Sequence, residues 1–145
     1  MDKFQVRRLK VEDAETITQI YAAITRRPVE PDFKSVVEEH ARSEAQACFV
    51  AEHQGKVVGF MISYILTAGF GEAKSAWIAT LGVDPNYMGQ GIGASLAEKI
   101  FKIYQAAGID NVYTTVRWDS TDLLSFFKTL GFDRSRFINL RKVID

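Results

Sequence analysis

The residues best suited to chemistry lie together in the middle of the chain, in Val83-Asp84-Pro85-Asn86-Tyr87-Met88-Gly89-Gln90-Gly91-Ile92-Gly93-Ala94. Gly89, Gly91 and Gly93 let the main chain approach a ligand closely and take up positive φ where a turn needs it. An apolar stretch ending at Asp84-Pro85 precedes them, and an amphipathic helical pattern follows. The first N–H groups of a helix have no acceptor within it, and the helix dipole adds partial positive charge there. Such a turn suits a phosphate or diphosphate held by main-chain donors. No Lys or Arg lies between Val83 and Ala94, so those donors would carry the binding. The plainer reading is a tight strand-to-helix turn and nothing more; three clustered glycines at that junction favour the ligand.

Two familiar phosphate motifs fit poorly. A P-loop needs Lys and Ser/Thr after its last glycine, whereas Ala94 and Ser95 follow Gly93. A dinucleotide fingerprint accepts Gly89-x-Gly91-x-x-Ala94, and Asp110 lies downstream, but that acid belongs at the far end of the second strand and Asp110 precedes it. The fingerprint should also open an alternating βαβ run. A nicotinamide-binding module stays as an alternative that stabilisation by NAD would reveal.

The elements that must position this turn can be read along the chain. Gln5–Leu9 reads as a strand. Ala14, Ile17, Ile20, Tyr21 and Ile24 mark one face of a helix from Glu12 to Ile24, with Asp13 as a cap. Pro28 and Pro31 interrupt the chain in a loop carrying Arg26 and Arg27. Asp32 caps a second helix through Phe33, Val36, Val37 and His40. Cys48–Glu52 and Lys56–Ile65 flank Gln54-Gly55 as a hairpin, and Ser75–Val83 adds a third strand. The long helix carries Ile92, Leu96, Ile100, Ile103 and Ala107 on one face and stops at Gly108. Asn111–Val116 is a strand, Ser120–Leu130 a helix ended by Gly131, and Phe137–Val143 a final strand. This order predicts a mixed α/β fold, a predominantly antiparallel sheet flanked by helices.

The chain has 145 residues, 47% of them hydrophobic and 25% charged, which matches one globular domain over residues 1–145. Eighteen basic and eighteen acidic residues cancel, which argues against nucleic acid as the main partner. No stretch approaches ~18 uncharged apolar residues, so no membrane span is expected. Cys48 is the single cysteine, and the start lacks a secretory pattern. A cytoplasmic protein is the expectation. His40 and His53 lack metal-ligand spacing, so no metal is expected.

Two motifs then resemble a known family. Ile78-Ala79-Thr80-Leu81-Gly82-Val83-Asp84-Pro85, followed by Gly89-Gln90-Gly91-Ile92-Gly93-Ala94-x-Leu96, resembles the acetyl-CoA motif of the GNAT N-acetyltransferase superfamily. Leu124-Ser125-Phe126-Phe127-Lys128-Thr129-Leu130-Gly131-Phe132 resembles that family's closing helix. The element order agrees from Val6 to Val143. The resemblance implies a GNAT-like acyl-CoA N-acyltransferase fold and direct transfer of an acetyl group from acetyl-CoA to an amine, either a small molecule or a peptide. It places Leu81 and Val83 beside the pantetheine arm, and gives the diphosphate to Met88, Gly89, Gln90, Gly91, Ile92, Gly93 and Ala94. Ser120, Leu123 and Phe127 line the other side, and a homodimer paired through the C-terminal apolar strands is the expected assembly.

The sequence departs from the family pattern in three places. Met88 stands where Arg or Gln is usual, which removes a charge-assisted contact of about 1.5–3 kcal/mol but leaves the amide. Ser120 replaces a common Asn; its hydroxyl serves a pantetheine amide or caps the closing helix. Phe127 replaces the Tyr that protonates the departing thiolate. A general acid typically contributes ~10²–10⁴-fold, so its loss slows transfer without forbidding it. Glu72 and Asp119 are the acids available to take the amine's proton, and with Ser120 they complete the catalytic set. Cys48 reads as a small buried hydrophobe, and Trp118 as either packing or part of an acceptor pocket. A non-catalytic acyl-CoA-binding regulatory domain is the alternative function.

Overall fold

The computed structural model describes residues 4–26, 28–69 and 71–145. It forms two compact units, one running to Thr115 and one from Val116 to Asp145. The first holds a five-stranded sheet in the order β1 (Gln5–Arg8), β2 (Cys48–His53), β3 (Lys56–Thr67), β4 (Lys74–Val83) and β5 (Val112–Thr114). The first four strands pair antiparallel, and β5 joins β4 in parallel. The expected mixed, mainly antiparallel sheet is therefore present. The β2–β3 turn uses Gln54 and Gly55 at φ 52° and 80°, the two successive positive values that a tight hairpin of this kind requires.

Side chains alternate across the sheet and send its two faces to different helices. Cys48 and Val50 of β2 and Phe60 and Ile62 of β3 share a buried cluster with Ile17 and Ile20 of α1 (Ala14–Thr25) and Val37 of α2 (Phe33–Arg42). Tyr21 and Phe33 stack at 4.5 Å to close α1 against α2. Arg7 anchors the start of α1, bonding both Asp13 carboxylate oxygens at 2.9 Å and Glu52 at 2.8 Å. Those two carboxylates raise the guanidinium pKa above its ordinary value. Asp13 occupies the capping position, but its carboxylate serves Arg7 and the Lys10 amide instead of the helix; Asp32 likewise makes no side-chain cap.

The opposite face receives α3 (Ile92–Ala106), whose buried side chains are Ile92, Leu96, Ala97, Ile100 and Tyr104. Ile103 and Ala107, expected on that face, are half-buried and exposed respectively. Tyr104 takes the buried place because its hydroxyl finds Ser63 of β3 at 2.7 Å and accepts from the Ala47 amide at 3.0 Å. Gly108, at φ 80°, ends the segment as expected.

The second unit contains α4 (Thr121–Thr129). Phe127 is buried, with the rings of Phe126 and Phe132 edge-on at 5.2 and 5.0 Å. The expected strand Phe137–Val143 is absent: the segment forms no ladder, and Ile138 and Leu140 are each 82% exposed. Its apolar composition suits a strand, but a strand exists only against a partner that supplies its hydrogen bonds.

Candidate active site: a forked strand and an uncapped glycine turn

β4 and β5 part company early. They pair only through Ala76–Val112, Trp77–Tyr113 and Ile78–Thr114, and the Thr114 hydroxyl donates to the Ile78 carbonyl at 3.1 Å. Among the described residues of this unit, no strand pairs with β4 on that side from Ala79 to Val83. The open edge runs roughly 17 Å at ~3.3 Å per residue. A register shift in the β3–β4 ladder falls at its start, since Ile62 pairs with Thr80 but Ser63 with Ile78. Ala79 is thus an extra residue, a bulge of the kind that re-aims a strand. Past it, the Asp84 amide donates to the Val58 carbonyl at 2.8 Å. Because main-chain groups alternate sides along a strand, those of Leu81 and Val83 face the open edge.

Gly82, between them, is forced to be small. A Cβ there would lie 2.7 Å from Ile24 Cδ1 and 2.8 Å from Phe60 Cε1.

The open edge leads into the turn. Asp84 Oδ1 accepts from the Asn86 amide at 2.9 Å, and Pro85 begins one 3-10 turn to Tyr87. Gly89 and Gly91 follow at φ 81° and 80°, and a Cβ on either would meet nothing within 4 Å. The space above these two glycines is open, as a cradle for a ligand requires. The first intrahelical bond of α3 runs from the Ser95 amide to the Gly91 carbonyl at 3.0 Å. The amides of Ile92, Gly93 and Ala94 therefore precede the helical ladder, and Gly91 provides no side-chain cap. Met88 and Gln90 are exposed, whereas the Ile92 side chain is buried and leaves only its amide for a ligand.

Of the candidate catalytic side chains, only Glu72 belongs to the same unit as the fork. Glu72 precedes β4, at the end opposite the glycine turn, and its carboxylate accepts from Tyr113 Oη at 2.6 Å and Asn111 Nδ2 at 3.2 Å. That place takes it away from a base role at the open edge. In the second unit, Asp119 forms a two-pronged pair with Arg117 at 3.1 and 3.0 Å. Hydrogen bonding to Arg117 lowers its pKa below the ordinary carboxylate value, which makes it a weaker base. Ser120 sits at the capping position of α4 without a side-chain cap, which removes capping as its role. Leu123 is 39% exposed and Trp118 88% exposed. Cys48 is buried, its thiol raised by burial, and it donates to the Ser63 carbonyl at 3.3 Å. The bulge at Ala79 escaped the sequence reading, because an extra residue in one strand shows only against its partner's register.

The model of the acetyltransferase (GNAT) family matches residues 14–132. The chain belongs to the GNAT family. Among curated GNAT relatives, the mycothiol acetyltransferase of Saccharomonospora viridis is 29% identical over 108 residues, 70% of this chain and 35% of that one. The N-alpha-acetyltransferase MAK3 of Arabidopsis thaliana is 29% identical over 91 residues, 63% of this chain and 47% of that one. This GNAT chain thus spans about a third to a half of the length of these curated relatives. Among solved structures, the aminoglycoside N-acetyltransferase AAC(6')-Iy in complex with CoA superposes with a TM-score of 0.81 at 17% identity, over 98% of this chain and 96% of that one. The aminoglycoside acetyltransferase meta-AAC0020 from an uncultured soil metagenomic sample gives 0.79 at 22% identity, over 98% and 97%. At those identities the likeness establishes the GNAT fold.

Proposed function

We propose that this GNAT chain is an acetyl-CoA-dependent N-acetyltransferase acting on an amine by direct transfer. The observation that carries the reading is the continuous open edge from Ala79 to Val83, running straight into the uncapped turn at Gly89–Ala94. The outward main-chain groups of Leu81 and Val83 suit the amides of a pantetheine arm, and the amides of Ile92, Gly93 and Ala94 suit the diphosphate. Acetyl-CoA supplies a thioester carbonyl. A neutral amine forms the new C–N bond as the C–S bond breaks; coenzyme A leaves as thiolate and the amine's extra proton passes to solvent. A main-chain N–H on the open edge stabilises charge on the carbonyl oxygen. Glu72 takes no part as base, for its place in the fold, and Asp119 is a poor one while Arg117 holds it. Ser120, Leu123 and Phe127 stay in the proposal on the strength of the family motif alone.

The whole chain as one domain belongs to the same proposal, because the family match crosses from one compact unit into the other. So does a cytoplasmic site of action, supported by a lone cysteine with no disulfide partner. No helix among the described residues is long and apolar enough to cross a membrane.

Phe127 favours a second reading. A buried phenylalanine at the family's acid position has no proton to give, which suits a domain that binds acyl-CoA without turnover. Thiol release from acetyl-CoA across a panel of amines, peptides and aminoglycosides separates the two. Turnover on any acceptor supports transfer; stabilisation by coenzyme A with no turnover on the whole panel supports the binding domain.

A further inference from the structure

The glycine turn is tied at both ends to the β2–β3 hairpin. Before the turn, the Asp84 amide donates to the Val58 carbonyl at 2.8 Å, and the Tyr87 amide donates back to the Asp84 carbonyl at 2.8 Å. After it, Ile92 fills the hollow above Gly59 of β3, where a Cβ would lie 2.8 Å from Ile92 Cγ2. A third tie is made by side chains. The His53 ring, at the end of β2, meets the Tyr87 ring with centroids 5.4 Å apart and planes at 56°. Both residues are half-buried. Glu52, the residue before, reaches Arg7 on the α1 side, so alternation turns His53 to the α3 side of the sheet.

These ties matter because of what lies between them. Met88, Gly89, Gln90 and Gly91 are exposed, and both glycines stand at positive φ. Glycine loses more conformational freedom on ordering than any other residue, so an untethered turn of this composition would bind a ligand at a high entropic cost. Groups already fixed when the ligand arrives bind it more tightly. No Lys or Arg between Val83 and Ala94 offers a charge in compensation, so affinity depends on how well the amides are aimed. His53 adjoins the Gln54-Gly55 turn, and Tyr87 adjoins Met88. The ring contact therefore joins the tip of the hairpin to the first residue of the cradle.

We propose that His53 is a positioning residue for coenzyme A: its ring, packed on Tyr87, holds the amides from Met88 onward in their binding geometry before the ligand arrives. The inference rests on the reading of this turn as the diphosphate cradle, and it adds to that cradle a residue from another strand. His53 acts through Tyr87, as a packed ring and not as an acid or base.

The test is calorimetric titration of the full chain with coenzyme A. His53→Ala should raise the Kd about three- to tenfold, the fold-change expected from one aromatic pair. His53→Phe keeps a ring at that place and should restore the wild-type value. Tyr87→Leu should lose as much as His53→Ala, and the double variant His53→Ala with Tyr87→Leu no more than either single. Melting curves establish that each variant folds. Should His53→Ala fail to fold, Tyr87→Leu set against Tyr87→Phe makes the same comparison, loss against rescue. A Kd unchanged by His53→Ala, a loss in His53→Phe equal to that in His53→Ala, or additive losses in the double variant overturn the role. Wild-type protein that does not bind coenzyme A sinks the cradle itself and the inference with it, whereas tight binding indifferent to His53 sinks the inference alone.

Discussion

Gly82→Ala tests how β4 is held at the open edge. The added methyl would lie 2.7 Å from Ile24 Cδ1 and 2.8 and 3.1 Å from two carbons of the Phe60 ring. Ile24 can swing its terminal methyl aside. Phe60 cannot, since it is fully buried in the α1 cluster. Overpacking of this kind costs about 1–3 kcal/mol, partly offset by the ~0.5–1 kcal/mol that alanine regains over glycine within a strand. The net loss should lower the melting temperature by roughly 2–8 °C in a domain of this size. Scanning calorimetry reads that directly. Phe60→Leu in the same chain makes room, so the double variant should lose less than the sum of the singles, a coupling of at least ~0.5 kcal/mol. Because Leu81 and Val83 flank the site, coenzyme A should also bind Gly82→Ala more weakly. A Gly82→Ala protein as stable as wild type, with strictly additive behaviour alongside Phe60→Leu, would refute the packing that aims this edge.

Tyr104→Phe removes the hydroxyl that bonds Ser63 and the Ala47 amide, and leaving that buried amide without its acceptor should cost about 1–3 kcal/mol in urea denaturation. Asp119 carries a pKa lowered by Arg117, so the stability this pair contributes is present above the ordinary aspartate pKa and fades as pH falls through the depressed one. By NMR, Arg117→Gln should move the Asp119 titration midpoint upward; no movement would contradict the pair. The Cys48 thiol, buried and raised, should react with a disulfide reagent only after denaturation. Ile138→Ser with Leu140→Ser should change stability by less than about 0.5 kcal/mol, because both side chains are exposed. A larger loss would show that the segment is buried against a partner, as the sequence pattern suggested.

What the sequence made legible follows physical range. The turn at Gly89 and Gly91 was readable because positive φ and an unpaired helix start are local properties that glycine announces. The Gln54-Gly55 hairpin and the helix stop at Gly108 were readable for the same reason. Features decided by distant partners were not. The periodicity of α3 pointed to Ile103 and Ala107, but Tyr104 is buried because its hydroxyl hydrogen-bonds Ser63, 41 residues away in sequence. Glu72 was a plausible base while only its place before the motif strand was known. The Tyr113 and Asn111 contacts tie it to the start of β5, at the end of β4 opposite the glycine turn. The Phe137–Val143 pattern is that of a strand, yet pattern alone cannot supply a neighbour.

Amide NMR during a coenzyme A titration measures the central claim most directly. The account predicts the largest shifts at Gly89, Gly91, Ile92, Gly93 and Ala94, with a second set at Leu81 and Val83. Saturable binding that leaves those amides unmoved and shifts others would contradict it.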